Sequence, residues 1–254
     1  MSARTTYVPI SVLLLKRFSV QQLRHDLSEN TGRVFLSFLR ACCYIQFYYQ
    51  PYALTLNIKP TAPRINAYIK THKDNNPISP VTDNTQEPSY KIAKFLDRRT
   101  KEYVNLPNTY MVQNSNEVAQ ELQKIHTAKN HKMITLDIKD LCVKLPKQGI
   151  IQATAIWMDR NKVGTDTKEQ IMLLLKVIIE QNYFQYNNQY FKPEKGITMG
   201  SPISGTLAEI YLQLIEERYI KHWIEDQNIV YYKRYVDDIF IIFDISRINE
   251  IKGF

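Results

Sequence analysis

This chain is poor in cysteine, in glycine and in unbroken apolar sequence, and each scarcity removes a class of protein. Its 254 residues include three cysteines, Cys42, Cys43 and Cys142. An adjacent pair and a distant single make no disulfide framework and match no zinc-ligand spacing. The expected setting is therefore reducing and intracellular, cytoplasm or nucleus. The most membrane-like window, residues 35–56, is interrupted by Arg40, Gln46, Gln50 and Pro51. That pattern reads as a buried or interfacial helix, not a membrane span. Residues 1–10 carry no compact apolar segment behind a basic flank, so no secretory signal is read. With seven glycines in all, the segment from Gly196 to Gly205 is the one glycine-bearing loop of substance.

Acidic residues are also in the minority, 25 against 33 Lys and Arg, for a net charge of +8. Such a balance permits a polyanionic partner without identifying one. The length and the 44% hydrophobic content suit one large domain or two small ones with a buried core.

Along the chain, residues 34–49 read as a helix, apolar nearly all round and closed before Pro51. Residues 1–60 are expected to form a helical extension of unknown role, and 61–254 the main domain. A polar loop is expected from Asp74 to Pro88, which contains three prolines. Helices are expected over 89–104, over 116–128 behind a cap at Asn114 or Ser115, and over 147–158. A capping box at Thr167–Gln170 opens another, through Glu180. Asn187-Asn188, between two aromatic runs, signals a hairpin because asparagine tolerates the left-handed region. A long helix is expected over 203–226, and residues 246–253 look like the beginning of another.

Chemistry concentrates at the ends of β-like runs. Lys132–Ile138 is strand-like and carries Asp137 near its end. Ile229–Tyr235 and Ile239–Phe243 are aromatic and β-branched, joined by a turn bearing Asp237 and Asp238. Adjacent carboxylates repel, so such a turn is either solvated or compensated by a divalent cation. If the three strands share a sheet, Asp137 and Asp237 lie on neighbouring strands. They could then hold two ions about 3.5–4 Å apart, the spacing that clamps an in-line phosphoryl displacement. The basic helix around Lys91, Lys94, Arg98, Arg99 and Lys101 reads either as a solvated face or as the wall of a nucleic-acid channel.

Three segments, taken in order, resemble a known family. Leu136-Asp137-Ile138-Lys139-Asp140-Leu141, Met199-Gly200-Ser201-Pro202-Ile203-Ser204 and Arg234-Tyr235-Val236-Asp237-Asp238 resemble the palm of reverse transcriptases. More narrowly they resemble the Penelope-like retroelement branch, related to telomerase. Lys70-Thr71-His72-Lys73, Ser89–Leu96 and Asn182–Tyr186 resemble further motifs of that branch, and the likeness covers roughly 64–245.

The resemblance implies an α+β fold: a reverse-transcriptase-type palm, its small antiparallel sheet backed by helices, with fingers ahead of it. It implies RNA-directed DNA polymerisation with an RNA template, a DNA primer and a dNTP as partners, and no membrane. Two Mg²⁺ ions, or Mn²⁺, are the implied cofactors. Asp137 and Asp237 would be their principal ligands, with Asp238 and the Ile138 carbonyl beside them. Met199, Gly200, Ser201 and Pro202 would line the nucleotide and template-base pocket. Lys70 and Lys73 would hold triphosphate or template backbone.

The sequence departs from the family at three points. Ser79 stands where an arginine usually pairs with the triphosphate. Cys142 stands where an aromatic residue usually rejects the 2′-hydroxyl. The chain stops at Phe254, sixteen residues past Asp238, so the palm is expected to be C-terminally incomplete and without a thumb. These departures keep open a second reading, a non-catalytic nucleic-acid-binding remnant of such a domain.

Overall fold

The computed structural model describes residues 20–22, 61–69, 71, 76, 78–87, 89–180, 182–226 and 229–247. The helix expected over 34–49, the two lysines Lys70 and Lys73, and the end of the segment 246–253 lie outside the described residues. In chain order the elements are β1 (Val20–Gln22), β2 (Arg64–Ile69), β3 (Ile78–Asp83), α1 (Tyr90–Tyr103) and α2 (Ser115–Leu122). They continue with β4 (His131–Asp137), α3 (Leu141–Lys144), α4 (Lys147–Arg160), α5 (Thr165–Glu180), β5 (Phe184–Tyr186) and β6 (Gln189–Pro193). The last are α6 (Ser204–Ile215), a π-helical segment (Glu216–Ile220), α7 (Lys221–Glu225), β7 (Ile229–Tyr235) and β8 (Asp238–Asp244). The fold is α+β, with two small, largely antiparallel sheets backed by helices. Among the described residues no helix is long and apolar enough to cross a membrane.

The chain divides into two compact units. The first, residues 1–104 and 142–206, holds a five-stranded sheet in the order β1-β6-β5-β2-β3. Its neighbours are antiparallel except β2 and β5, which run parallel and meet at Arg64 and Gln185. The β5–β6 hairpin turns at Asn187 and Asn188, both with positive φ (48° and 59°), as the paired asparagines lead one to expect. Helix α5 packs against α1 and α4. Its Ile171, Leu174, Leu175, Ile178 and Ile179 are buried, as are Ile92, Phe95 and Leu96 of α1 and Ile150, Trp157 and Met158 of α4. The spacing of three and four residues gives each helix one apolar stripe. Each such side chain contributes about 1.5–3 kcal/mol when fully buried.

The second unit, residues 105–141 and 207–254, holds a three-stranded antiparallel sheet, β4-β8-β7. One face carries Ile229, Tyr232, Ile239, Ile241 and Phe243, which bury against Ile220, with Tyr110, Ile134, Ile138, Trp223 and Ile224 completing the cluster.

The structure corrects four sequence expectations. The expected loop 74–88 contains strand β3, fully paired with β2 from Arg64↔Asp83 to Ile69↔Ile78. Its Pro80 is tolerated because β3 lies at the edge of the sheet, where, among the described residues, one row of amides has no strand to bond. The helix expected over 116–128 ends at Leu122. It is capped by Asn114, whose side chain accepts from the Glu117 amide. Helix α5 opens at Thr165, ahead of the expected capping box, and the Gly164 carbonyl accepts from the Lys168 amide. The helix expected over 203–226 begins at Ser204 and is broken at Glu216 by the π-helical segment, a form that takes one extra residue into the turn.

Candidate active site

Strand β8 places the acids. It pairs with β7 so that Tyr235 faces Asp238, leaving Val236-Asp237 as a two-residue turn. It pairs with β4 so that Asp238 faces Asp137. One step further, the Ile138 amide donates to the Asp237 carbonyl at 2.8 Å. The 138/237 pair is thus hydrogen-bonded, which makes 137/238 a non-hydrogen-bonded pair. In that kind of pair the side chains approach most closely, with Cβ atoms about 4.5–5.5 Å apart. Asp137, Asp237 and Asp238 are all exposed.

The turn itself is strained. Val236 has φ +55°, a region that a β-branched side chain occupies only under constraint. Asp237 is not among the positive-φ residues, so the turn has the φ signs of type II′, for which glycine is the usual first residue. Holding valine there costs about 1–3 kcal/mol.

Asp137 and Asp238 lie on the sheet face opposite the hydrophobic cluster. Tyr231, Lys233 and Phe240 share that face, with the Tyr231 and Phe240 rings in edge contact at 6.0 Å. Glu121 of α2 reaches over it, accepting from Lys233 Nζ at 2.9 Å and from the Tyr231 hydroxyl at 2.8 Å. Chiefly the Lys233 hydrogen bond holds the Glu121 carboxyl below its ordinary range.

Mg²⁺ fits this donor set. It takes one or two carboxylates, keeps several waters and leaves positions for substrate phosphates. Two directly opposed carboxylates with a third beside them in the turn supply that minimum. Among the described residues no group of three or more His, Cys, Asp or Glu side chains is gathered closely enough to hold a metal ion by itself, so substrate and water oxygens would have to complete the coordination.

Sequence reasoning missed one feature of this unit. Arg234, 1% exposed, sits on the core face of β7 between Glu209 of α6 and Glu216 at the start of the π segment, the latter 4% exposed. The Tyr232 hydroxyl donates to Glu216 at 3.0 Å, and burial with the Glu216 charge holds that phenol well above its usual range. The detectable signal was a charged residue at a core-facing position of an apolar strand, matched by glutamates seven residues apart on an apolar helix.

The glycine-bearing loop belongs to the first unit. Gly200 has φ +117°, and a Cβ there would meet the Thr82 carbonyl oxygen at 2.0 Å. The Met199 carbonyl accepts from the Thr82 amide at 2.9 Å, so the loop is bonded directly to β3. Gly196 has φ +79°, and its Cβ would fall 2.3 Å from the Val143 carbonyl. The Cys142 carbonyl accepts from the Ile197 amide at 2.8 Å, which brings Cys142 to the base of the same loop. Ser201 and Pro202 precede the helix as a turn, with the Ser204 amide donating to the Ser201 carbonyl at 3.1 Å.

Behind the loop, Asn84 and Glu87 are 4% and 5% exposed, and Asn84 Nδ2 donates to Glu87. Burial raises the Glu87 carboxyl above its ordinary range, and burial beside Glu87 pushes the Tyr183 phenol up to about 12.

The structure therefore brings Asp137, Ile138, Asp237 and Asp238 together in one unit. It brings Cys142, Met199, Gly200, Ser201 and Pro202 together in the other. Ser79 lies in β3, its backbone paired with Tyr68.

No protein-family model matches the sequence, and no curated protein does. Solved structures do. The chain is similar to apo telomerase from Candida tropicalis truncated from its C-terminal domain, with TM-score 0.57 and 16% identity over 93% of this chain and 54% of that one. It is similar to telomerase from Candida albicans in complex with a fragment of telomeric RNA, with TM-score 0.54 and 10% identity over 94% of this chain and 48% of that one. It is also similar to the BmCPV RNA-dependent RNA polymerase at elongation state, with TM-score 0.52 and 11% identity over 92% of this chain and 22% of that one. The chain spans about half the length of the telomerases it resembles. At these identities the likeness is one of fold.

Proposed function

We propose that this chain is the fingers and palm region of a retroelement reverse transcriptase of the Penelope-like branch, an RNA-directed DNA polymerase. One observation carries the reading: Asp137 and Asp238 oppose each other at the open end of β4 and β8, with Asp237 in the adjoining turn. The ordered motifs and the polymerase fold of the structural neighbours support it.

Asp137, Asp237 and Asp238 would hold the metal ions, and the Ile138 carbonyl supplies a further oxygen. Bound there, two Mg²⁺ ions would supply Lewis-acid activation of the primer 3′-hydroxyl and neutralisation of the leaving pyrophosphate. The chain's own work is positioning. Met199, Gly200, Ser201 and Pro202 form the nucleotide and template-base pocket, and the missing side chain at Gly200 lets the loop backbone pack directly on Thr82 of β3. Cys142 takes the position that meets the sugar 2′ carbon. Lys70 and Lys73 serve as point charges for triphosphate or template backbone. The Candida albicans telomerase in complex with a fragment of telomeric RNA supports RNA as a partner here, and a DNA primer and dNTP complete the proposed substrates.

Primer extension on an RNA template with Mg²⁺ and dNTPs tests the reading, with Asp237→Asn as control. Extension by wild type that falls to background in the variant supports it. Extension that survives Asp237→Asn refutes the metal assignment. No extension by wild type, with an RNA–DNA hybrid still bound, supports the remnant reading, which Ser79 at the usual arginine position favours.

A further inference from the structure

The guanidinium of Arg234 has five N–H donors, and the structure places an acceptor on every one. Nε donates to Glu216 Oε1 at 2.6 Å. Nη2 donates to Glu216 Oε2 at 3.3 Å and to Glu209 Oε2 at 2.9 Å. Nη1 donates to Glu209 Oε1 at 2.9 Å and to the Val236 carbonyl at 2.8 Å. Four of the five bonds tie strand β7 to the helix behind it. The fifth leaves the core and grips the turn that carries the acids.

That fifth bond falls at the strained residue. Val236 holds φ +55° without the glycine that such a turn prefers, so something outside the turn must over-determine its backbone. The guanidinium is suited to it. It is planar, permanently charged and rigid in its fork, and the two buried carboxylates fix its plane. Its main chain is fixed as well: the Arg234 amide donates to the Tyr110 carbonyl at 2.8 Å, and its carbonyl accepts from the Val112 amide at 3.0 Å. Glu209 is steadied in turn by Gln213, which bonds Asn108 on both its amide groups.

We propose that Arg234, oriented by Glu209 and Glu216, is the positioning residue of the catalytic turn, holding Val236 through its carbonyl so that Asp237 and Asp238 stay aligned with Asp137. The role in catalysis rests on the polymerase reading above, while the mechanical role in the turn stands on the geometry alone. Lysine cannot replace it, because one ammonium with three donors cannot span two carboxylates and a carbonyl in a fixed plane.

Removing Arg234 alone would strand two buried carboxylates, so two variants are needed. Arg234→Lys keeps the charge, and the triple variant Arg234→Met, Glu209→Met, Glu216→Met replaces the whole buried network with apolar side chains. Hydrogen exchange of the Ile138 amide, which donates to the Asp237 carbonyl, reports the turn, and the Ile241 amide in mid-strand reports the sheet. Both variants are expected to fold and to exchange Ile138 about tenfold faster with Ile241 unchanged. In primer extension kcat is expected to fall about 10- to 100-fold at little-changed nucleotide KM. Wild-type exchange at Ile138 in the folded triple variant overturns the proposal. So does equal acceleration at Ile138 and Ile241, which would mark Arg234 as a general core residue. If wild type shows no extension, or Asp237→Asn leaves it intact, the polymerase reading falls while the exchange comparison still decides the clamp.

Discussion

Asp137 and Asp238 are cross-strand partners, like charges set directly opposite each other where two strands of one sheet approach most closely. Such a pair is destabilising in an ordinary sheet. Here it stands at the exposed end of two strands whose other faces build the core. The proposed function requires a cation to compensate that repulsion, and several consequences can be measured.

Gly200→Ala should destabilise the first unit by about 2 kcal/mol or more, because the added methyl meets backbone and the φ of +117° is unfavourable for alanine. Gly205→Ala should be neutral or stabilising by up to about 1 kcal/mol, since it lies in helix α6 with nothing within 4 Å of the new Cβ. Urea unfolding of the two variants beside wild type checks the contrast.

Val236→Gly should stabilise the protein by about 1 kcal/mol, through relief of the turn's φ strain less the entropy that glycine adds to the unfolded chain. A lower urea midpoint in the variant would show that the valine side chain contributes more by contact than it costs in strain.

Two glutamates should tilt the pH dependence of stability in opposite directions. Burial raises the Glu87 carboxyl above its ordinary value of 4.5, so the folded state binds more protons than the unfolded one as pH passes above that value. Its contribution is complete below 4.5 and is lost as pH rises through the folded value. Glu121 is lowered, first by its Lys233 hydrogen bond, so its contribution is present above 4.5 and is lost as pH falls through the folded value. Glu87→Gln should therefore gain stability relative to wild type near neutral pH, and Glu121→Gln should lose it. Both differences should shrink in acid, which denaturant titrations from about pH 3 to about pH 8 would check, a span that runs from about one unit below the usual carboxylate range to neutrality and beyond.

Cys142→Tyr should raise discrimination against ribonucleotides, by restoring a large side chain where the proposed nucleotide sugar would sit. Single-nucleotide incorporation with paired rNTP and dNTP measures it. Equal discrimination in both proteins would remove Cys142 from that role.

Much of this was legible because local and long-range preferences agree. The β7–β8 hairpin announces itself through Ile229, Tyr231, Tyr232, Ile239 and Ile241, and the β5–β6 turn through Asn187-Asn188. Strand β3 was not legible, because Pro77, Pro80 and Pro88 spell a loop and only an edge position permits Pro80 in a strand. Arg234, Glu209 and Glu216 were not legible for a different reason. Charged residues read as surface, and only tertiary pairing makes them core. The break at Glu216 follows no glycine or proline, so nothing local marked it. Nor does β-propensity reveal that Asp238 is the residue opposite Asp137, because register belongs to the paired strands.

Manganese binding followed by electron paramagnetic resonance, in wild type, Asp137→Asn and Asp238→Asn, tests the central claim most directly. The opposed carboxylates predict that wild type binds Mn²⁺ and that each substitution weakens binding by more than about tenfold, with unfolding curves unchanged or shifted to higher stability as the repulsion is removed. Equal Mn²⁺ affinity in all three proteins would contradict it.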